Sequence, residues 1–417
     1  MVDKRPTASE ITTGQNVCAT SQSPFSVGAN MSLRVVHVTP YYWPAIEWGG
    51  PVQSVRTLAE AQARLGASVE VFTTTSRARG DLPRLEARSA NVGGVVVRYY
   101  HARGSRRYGV SPSMFLALWG AIGGADVVHA HGLWVPATAV AVRLARMRRR
   151  PVVVSPRGTL DAFALAQRAT KKRVYLALVE RATLNAASLI HYTTEGERDG
   201  VPSSMRSLPS MVLYNAVDLR PLQEVRMARA SSGALRILMV GRIHRIKGFD
   251  LFLPALAKAQ QAGIRCHLRI AGPNEDGYRT QIESLIAGLG LSGNVTILGP
   301  IDRGQLVAEL EACDVVAQPS YTENFGMTCA EAMAAARPVL VSERVNLAPL
   351  VSAAGAGVVV PLDVDGICAG LVALARGVYD LPQMGARGRV AALHEFEPES
   401  VAKRMLGEYR KLTEIPV

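Results

Sequence analysis

The sequence lacks the features that would mark a membrane-spanning or secreted protein. No stretch approaches the roughly 20 consecutive apolar residues that span a bilayer, and the opening segment MVDKRPTASEITTGQNV has no apolar signal core. The five cysteines are scattered and form no CxxC pair, which disfavours a disulfide framework. They are Cys18, Cys266, Cys313, Cys329 and Cys368. These absences predict a cytoplasmic protein in a reducing compartment.

Motifs for two common ligand classes are also missing. No GxGxxG follows the first predicted strand of either half, which argues against a dehydrogenase. The basic stretches carry no interleaved aromatic residues and no known nucleic-acid-binding motif, so we expect no nucleic acid as a partner. No repeat of 20 to 50 residues is visible, which excludes a solenoid.

What is present in excess is positive charge, because 47 Lys and Arg stand against 34 Asp and Glu for a net charge of +13. Such a surplus suits phosphorylated ligands or an anionic membrane face. Two basic clusters lie in the first half, and they suit either peripheral binding at the inner face of a membrane or a plain solvated helix face. They are Arg143, Arg146, Arg148, Arg149, Arg150 and Arg168, Lys171, Lys172, Arg173.

The chain of 417 residues is long enough for two domains, and 48% hydrophobic residues can bury a core in each. Residues 1–30 have no apolar periodicity and are interpreted as a flexible tail, with Met31 as an alternative start to Met1. Two series of alternating strands and helices then predict an α/β fold of two doubly wound parallel sheets. The predicted domains are 31–217 and 218–395, followed by a closing helix in 396–417, and residues 218–233 are interpreted as the linker.

The predicted strands are short apolar runs bounded by turn residues. In the first series they cover 33–38, 69–73, 95–100, 126–131, 151–155, 188–193 and 211–214, with helices at 136–147 and about 161–185. In the second they cover 236–240, 267–271, 295–298, 314–318 and 338–342. Ligands of such sheets bind at the carboxyl ends of the strands, so residues 241–248, 272–274 and 319–326 should line one rim.

A basic turn follows the first strand of the second series. Between Gly241 and Gly248 the chain places Arg242 and Lys247 five residues apart. A guanidinium can bind phosphate oxygens in bidentate fashion, and a lysine supplies a movable point charge, so the pair suits a diphosphate without a metal. The alternative is a solvated basic loop.

A second motif, PSYTENFGMTCAE, places two carboxylates around a turn that opens into a helix at residues 327–335. The unpaired N–H groups of a helix start attract a phosphate or a sugar oxygen near Asn324, Phe325 and Gly326. Glu331 would fall on the second helical turn and accept bonds from hydroxyl groups. An ordinary exposed helix glutamate is the alternative for this residue.

Together these motifs resemble the retaining glycosyltransferases of family 4, which have the GT-B fold of two Rossmann-like domains facing across a cleft. The resemblance extends over residues 33–412. It is carried by Gly241-Arg242, Lys247-Gly248 and the Glu323 to Glu331 spacing, with Gly49-Gly50-Pro51, Asp126-Val-Val-His129-Ala-His131 and Asn215-Ala-Val-Asp218 in support.

The resemblance implies a role for each residue. Arg242 and Lys247 would hold the donor diphosphate beside Gly241, with the Gly50 N–H reaching it from across the cleft. Glu331 would bind the ribose hydroxyls, and Glu323 with the 324–326 backbone would bind the transferred sugar. His131 is similar to the active-site histidine beside the sugar, whereas we expect His129 on the opposite face of the strand, in the core.

The resemblance further implies a nucleoside-diphosphate sugar as donor, no metal and no cofactor. The acceptor would be a saccharide or lipid-linked saccharide, in polysaccharide or glycolipid biosynthesis, and would lie on the first domain. There Arg157 either meets an anionic acceptor or faces solvent. Two other functions stay open: a GT-B UDP-sugar epimerase, and a catalytically silent nucleotide-sugar-binding protein at the membrane surface.

Overall fold

The apolar runs form the centres of two parallel sheets in the computed structural model, which describes residues 32–76, 89–103, 110–160, 175, 179–226 and 233–414. Leu33–Val417 make up one compact unit. No helix within these described ranges is long and apolar enough to cross a bilayer.

The first sheet has eight strands in the order β3-β4-β2-β1-β5-β6-β7-β8. All neighbours are parallel except β3 and β4. The strands are β1 (Arg34–Val38), β2 (Ser68–Thr74), β3 (Ser89–Val92), β4 (Val95–Tyr100), β5 (Val127–His131), β6 (Val152–Ser155), β7 (Leu189–Tyr192) and β8 (Ser210–Val212). The described helices of this half are α1 (Gly50–Arg64), α2 (Pro112–Gly124), α3 (Pro136–Met147), α4 (Arg181–Asn185) and α5 (Glu195–Asp199), with 3₁₀ turns at Ile46–Trp48 and Ser203–Met205.

The second sheet has six parallel strands in the order β11-β10-β9-β12-β13-β14, the Rossmann order. Its strands are β9 (Leu235–Val240), β10 (Cys266–Ala271), β11 (Val295–Gly299), β12 (Val315–Gln318), β13 (Val339–Ser342) and β14 (Gly357–Val360). Its helices are α6 (Arg220–Gln223), α7 (Phe249–Gln261), α8 (Tyr278–Gly288), α9 (Arg303–Ala312), α10 (Met327–Ala334), α11 (Ala348–Ala354), α12 (Val364–Ala375), α13 (Leu381–Phe396) and α14 (Pro398–Glu414), with a 3₁₀ turn at Arg245–Lys247.

The topology decides where a ligand can bind. In each sheet the strand order reverses beside the first strand, between β1 and β5 and between β9 and β12. A crevice forms outside the carboxyl ends of the strands at such a switch point. The basic turn follows β9 and the PSYTENFG segment follows β12, so the second switch point brings both motifs to one crevice.

The last two helices connect the halves of the chain. Helix α13 packs on the second half, whereas α14 lays its apolar stripe against the first sheet and α1. The stripe contributes Val401, Met405, Leu406 and Tyr409 to a cluster with Val35 and other residues of the first half. The carboxyl-terminal helix therefore belongs to the core of the amino-terminal sheet.

The predicted α/β architecture of two doubly wound sheets is confirmed, although individual elements differ. The sequence pattern missed β3, which is short and only partly buried, and α2, which is apolar throughout and shows no helical period. Residues 218–233, interpreted as a linker, contain α6 and bury Leu219, Leu222 and Val225 in the second core. The predicted tail at 1–30 and most of the long helix at 161–185 lie outside the described residues.

Anchoring of α14 predicts a stability difference between two methionines. Met405 is fully buried, so Met405→Ala should lower the free energy of unfolding by about 2–5 kcal/mol through lost contacts and a cavity. Met147 is 67% exposed, and Met147→Ala should change the free energy of unfolding by less than about 0.5 kcal/mol. Urea unfolding measures both; equal losses would contradict the packing described for α14.

Candidate active site

A cavity of about 2160 Å³ lies at the carboxyl ends of β9 and β12 and receives residues from both halves of the chain. The segments predicted to form one rim, 241–248, 272–274 and 319–326, all contribute to its lining. Every predicted site residue except His131 lines it. The lining members of that set are Gly50, Gly241, Arg242, Lys247, Glu323, Asn324, Phe325, Gly326 and Glu331.

The basic turn holds Lys247 against Glu323. Gly248 has a left-handed φ of 72°, and a Cβ there would lie 2.0 Å from the Pro319 carbonyl oxygen, so only glycine fits. Lys247 Nζ donates to Glu323 Oε2 at 2.6 Å, and Gln318 Nε2 donates to the same oxygen at 3.0 Å. The lysine and the glutamate are therefore both oriented at the cavity wall.

Arg242 pairs with a different carboxylate from Lys247. Its Nη1 lies 2.8 Å from each carboxylate oxygen of Glu275, and the two side chains are 49% and 34% exposed. A surface pair of this kind contributes about 0–1 kcal/mol. An incoming phosphate can therefore replace Glu275 as the partner of Arg242 at little cost.

The amino terminus of α10 is open to the cavity. Gly326 precedes the helix with a left-handed φ of 87°, and no described side chain caps the helix. The first N–H groups of a helix have no partner within it, and they carry the positive end of the helix dipole. Gly326, Met327 and Thr328 line the cavity, so this positive end adjoins the Lys247–Glu323 pair.

Glu331 is buried on the second turn of α10, which excludes the alternative of an exposed helix glutamate. Arg303 donates from Nη1 to Glu331 Oε1 at 2.5 Å and from Nη2 to the Asp218 carbonyl oxygen at 2.9 Å. Burial raises the pKa of the Glu331 carboxyl, and the Arg303 guanidinium opposes that rise. Arg303 thus stabilises the carboxylate in a place with little water.

The two halves touch beside the cavity. A Cβ on Gly50, at the start of α1, would lie 2.8 Å from Met327 Cγ, so the glycine permits this close approach. Asn324 Nδ2 donates to Thr193 Oγ1 at 3.0 Å, and Thr194 Oγ1 donates to the Asn324 carbonyl oxygen at 3.2 Å. The start of α1 therefore sits directly opposite the start of α10.

His131 lies in a buried hydrogen-bond chain behind the cavity wall. Arg157 is only partly exposed, and its guanidinium bonds inward to Ser54 and Asn215, in contrast to the prediction that it faces solvent. Its Nη2 lies 3.2 Å from His131 Nδ1. A guanidinium only donates, so His131 Nδ1 accepts and its Nε2–H donates to His37 Nδ1 at 2.9 Å. His37 Nε2–H then donates to Gln62 Oε1 at 2.7 Å.

The other arm of the chain starts at the Leu213 carbonyl oxygen, which only accepts. His191 Nε2–H donates to it at 2.8 Å, so His191 Nδ1 accepts from Ser155 Oγ–H at 2.8 Å. Ser155 Oγ accepts from His129 Nε2–H at 2.7 Å, and His129 Nδ1 accepts from the Tyr409 hydroxyl at 2.5 Å. That hydroxyl accepts from Gln62 Nε2 at 3.4 Å, which joins the two arms.

The Arg157 guanidinium can only donate, and the Leu213 carbonyl oxygen can only accept. Each of the four histidines in this hydrogen-bond chain is therefore neutral, with a defined tautomer. Burial, together with the nearby Arg157 cation, lowers the pKa of His37 to about 4 and that of His191 to about 3. Burial also lowers the pKa of His129 and of His131 far below the usual value. Arg157 and the Leu213 carbonyl oxygen thus fix the two ends of this hydrogen-bond chain, and Tyr409 joins its two arms.

The prediction that His129 lies on the opposite face from His131 is wrong. Their ring centroids are 4.1 Å apart, because residues two positions apart in a strand point to the same face. The ligand nitrogens of His37, His129 and His131 lie within 4.8 Å of one another. Each of these ring nitrogens is already in a hydrogen bond and the Arg157 cation adjoins them, so the cluster is unsuited to a metal cation.

Comparison with known proteins identifies the family. Residues 49–207 match the model for the glycosyl transferase 4-like domain, and residues 226–367 match that for glycosyl transferases group 1. A D-inositol 3-phosphate glycosyltransferase from Mycobacterium sp. (strain JLS) is 30% identical over 75% of this chain and 74% of its own length. The chain belongs to glycosyltransferase family 4. A D-inositol 3-phosphate glycosyltransferase from Mycobacterium avium is 29% identical to this family 4 enzyme over 91% of the chain and 93% of its own length.

Solved structures agree with the GT-B fold. Sucrose-phosphate synthase from Thermosynechococcus elongatus superposes on the family 4 enzyme with a TM-score of 0.70 at 21% identity, covering 92% of this chain and 99% of its own. Anabaena HepE in complex with UDP and glucose gives a TM-score of 0.68 at 18% identity, with 91% and 100% coverage. At these identities the similarity establishes the fold.

Several residues around the site were not predicted from the sequence. Glu275 and Arg303 each pair with a predicted residue, but they lie 33 and 28 positions from their partners along the chain. Nothing local marks them. A signal for the histidine chain did exist, because His37 and His191 interrupt otherwise apolar strand runs, as His129 and His131 do.

The neutral histidines predict a loss of stability in mild acid. Unfolded histidine has a pKa of about 6.5, so below that pH the unfolded chain binds more protons than the folded one, and stability falls towards about pH 4. Each histidine contributes up to about 1.4 kcal/mol per pH unit. His191→Gln should reduce this slope by one proton, whereas His267→Gln, at an exposed position, should leave it unchanged. Urea unfolding across that range measures the slope, and a flat profile would contradict neutral buried imidazoles.

Proposed function

We propose that this glycosyltransferase moves a hexose-type sugar, with retention, from a nucleoside-diphosphate sugar to a saccharide or lipid-linked saccharide in polysaccharide or glycolipid biosynthesis. The observation that carries the proposal is the joining of Lys247 and the uncapped start of α10 in one cavity. Positive charge from two independent sources at a switch point suits a pyrophosphate group. The presence of UDP in the HepE structure supports a nucleotide donor.

In the proposed complex the diphosphate lies between the halves of the chain. Lys247 exchanges Glu323 for a phosphate oxygen, and Arg242 leaves Glu275 to bind another. The N–H groups at the start of α10 and of Gly50 complete the contacts, since the two helix starts face each other. In this complex these groups alone neutralise the negative charge of the diphosphate. For this reason we expect transfer to persist in the presence of a metal chelator.

The remaining donor contacts follow from burial and position. Glu331 Oε1 accepts a hydrogen bond from Arg303, and we propose that Glu331 Oε2 accepts hydrogen bonds from the ribose hydroxyls. Once Lys247 turns to the phosphate, Glu323 is free to accept bonds from the sugar beside the backbone of Asn324, Phe325 and Gly326. The proposed donor therefore runs along α10, with the nucleoside at Glu331 and the sugar at Glu323.

Retention follows if the leaving group acts as the base. The bond between the anomeric carbon and the phosphate oxygen breaks, and its electron pair leaves with the diphosphate. A phosphate oxygen then takes the proton of the acceptor hydroxyl, whose oxygen bonds to the anomeric carbon on the same face. Removing one donor that stabilises such developing charge typically costs about 3 kcal/mol in the barrier.

We propose that His131 lies beside the transferred sugar, as the resemblance to family 4 implies. In the free protein its two ring nitrogens contact Arg157 and His37, so a bond from its ring to the sugar requires one of them to be exchanged. Arg157 also lines the cavity and donates to Asn215 and Ser54. The hydrogen-bond chain thereby fixes the cavity wall on the proposed acceptor side.

Replacement of Lys247 provides the decisive kinetic test. Lys247→Ala should reduce kcat/KM for transfer by about 100-fold or more, because one phosphate donor is lost. Lys258→Ala is the matched control: this lysine is 55% exposed on α7 and pairs with Asp365, so activity should be unchanged. The donor is first chosen from a panel of nucleotide sugars by the rise in melting temperature that binding produces.

The reaction products distinguish the retaining transferase from the epimerase and the silent binding protein. NMR of the initial product should show the same anomeric configuration as the donor. Near-normal turnover by Lys247→Ala would refute the assignment of the diphosphate site. A free epimerised nucleotide sugar formed without acceptor would instead establish an epimerase, and donor binding without turnover of any acceptor would establish a silent binding protein.

A further inference from the structure

Helix α2 is apolar on nearly every side and yet lies at the surface. Its sequence, PSMFLALWGAIGG, contains no charged residue. One side packs through Met114, Leu118 and Ile122 into the core, while Leu116 is 79% exposed and Trp119 is 41% exposed. A helix that is hydrophobic all round is normally buried. The exposed side of α2 therefore lacks the polar residues that water alone would favour.

A shallow apolar groove of about 450 Å³ separates this side of α2 from α3. At the far end of α3, Met147 adds another large apolar side chain that is 67% exposed. We call the groove together with Met147 the α2–α3 face. The groove is lined by Pro112, Phe115, Leu116, Trp119, Val140 and Leu144.

Four exposed arginines lie on α3 or directly after it, beside the α2–α3 face, and no acidic residue occurs in the sequence between Asp126 and Asp161. The Arg148 guanidinium lies 4.3 Å above the Trp119 ring, so cation and aromatic share one surface. None of these arginines pairs with a carboxylate among the residues that the structure describes. The exposed members are Arg143, Arg146, Arg148 and Arg149.

We propose that the α2–α3 face docks on an anionic membrane. Exposed leucine, methionine and tryptophan enter the boundary of headgroups and acyl chains, and the arginines bind the anionic headgroups. A second copy of this chain is the less suitable occupant, because a symmetric contact would bring the exposed arginines of both copies together. Charge thus selects an anionic bilayer as the partner.

The face is adjacent to the proposed acceptor side of the cleft. Val110 and Pro136 line the cavity, and Pro112 and Val140, two and four residues further along the chain, line the groove. A bilayer on the α2–α3 face would therefore lie next to the cleft entrance in the first half. Docking at this face would bring a lipid-linked acceptor to the cleft, and this role rests on the proposed function.

Vesicle flotation of the full chain, without donor or acceptor, tests the docking separately from catalysis. The chain should bind vesicles of phosphatidylcholine with phosphatidylglycerol and not those of phosphatidylcholine alone. Arg146→Gln with Arg149→Gln should weaken binding about 25-fold, at about fivefold for each charge. Leu116→Ser should weaken it about tenfold, through the lost apolar contact.

Matched controls lie on the second half and on α14. Val390→Ser removes an apolar side chain that is 69% exposed, and Lys403→Gln with Arg404→Gln removes two exposed charges. Both should bind vesicles like the parent chain. Circular dichroism verifies that each variant is folded, and transfer to a water-soluble acceptor should be unchanged in all of them.

Three results would overturn the docking while leaving the transferase proposal intact. The first is failure of the parent chain to float with anionic vesicles. The second is equal binding to neutral and anionic vesicles, or equal binding by the face variants and their controls. The third is a dimer in light scattering that Leu116→Ser dissociates, which would assign the face to a second copy of the chain.

Discussion

An ammonium group, Lys247 Nζ, lies beside the uncapped amino terminus of α10, and the proposed binding of the donor depends on this arrangement. Neither group is local to the other in sequence, and the pairing of β9 with β12 brings them together. Glu323 compensates the lysine in the free protein, at 2.6 Å. A diphosphate can take over that role and release the carboxylate for the sugar. In the proposed complex, donor binding and release of the Glu323 carboxylate are thereby one event.

The first half of the protein fixes one wall of the cavity, whereas the second half supplies its positive charge. A continuous hydrogen-bond chain runs from Arg157 through four neutral histidines to the Leu213 carbonyl oxygen, and it passes through Tyr409 on α14. The carboxyl-terminal helix therefore bonds directly to the network that holds the proposed acceptor wall. Such a network is costly to disturb, because any missing member leaves a buried polar group unsatisfied.

Much of the fold and part of the site could be predicted from local sequence. Strand ends placed Lys247 and Glu323 at the same edge, because parallel strands end together, and the structure joins them. The partners Arg303 and Glu275 could not be predicted, since each meets its residue only through tertiary packing. Gln62 and Tyr409 are 347 positions apart, and no local pattern indicates their bond. The error at His129 had a simpler cause, a strand period applied with the wrong parity.

A crystal structure of the chain with a bound nucleoside diphosphate tests the central claim most directly. We expect a phosphate oxygen within about 3 Å of Lys247 Nζ and a second phosphate contact with the first N–H groups of α10. The Lys247–Glu323 bond should be broken in that complex. A diphosphate bound elsewhere in the cavity, with Lys247 still paired to Glu323, would contradict the account.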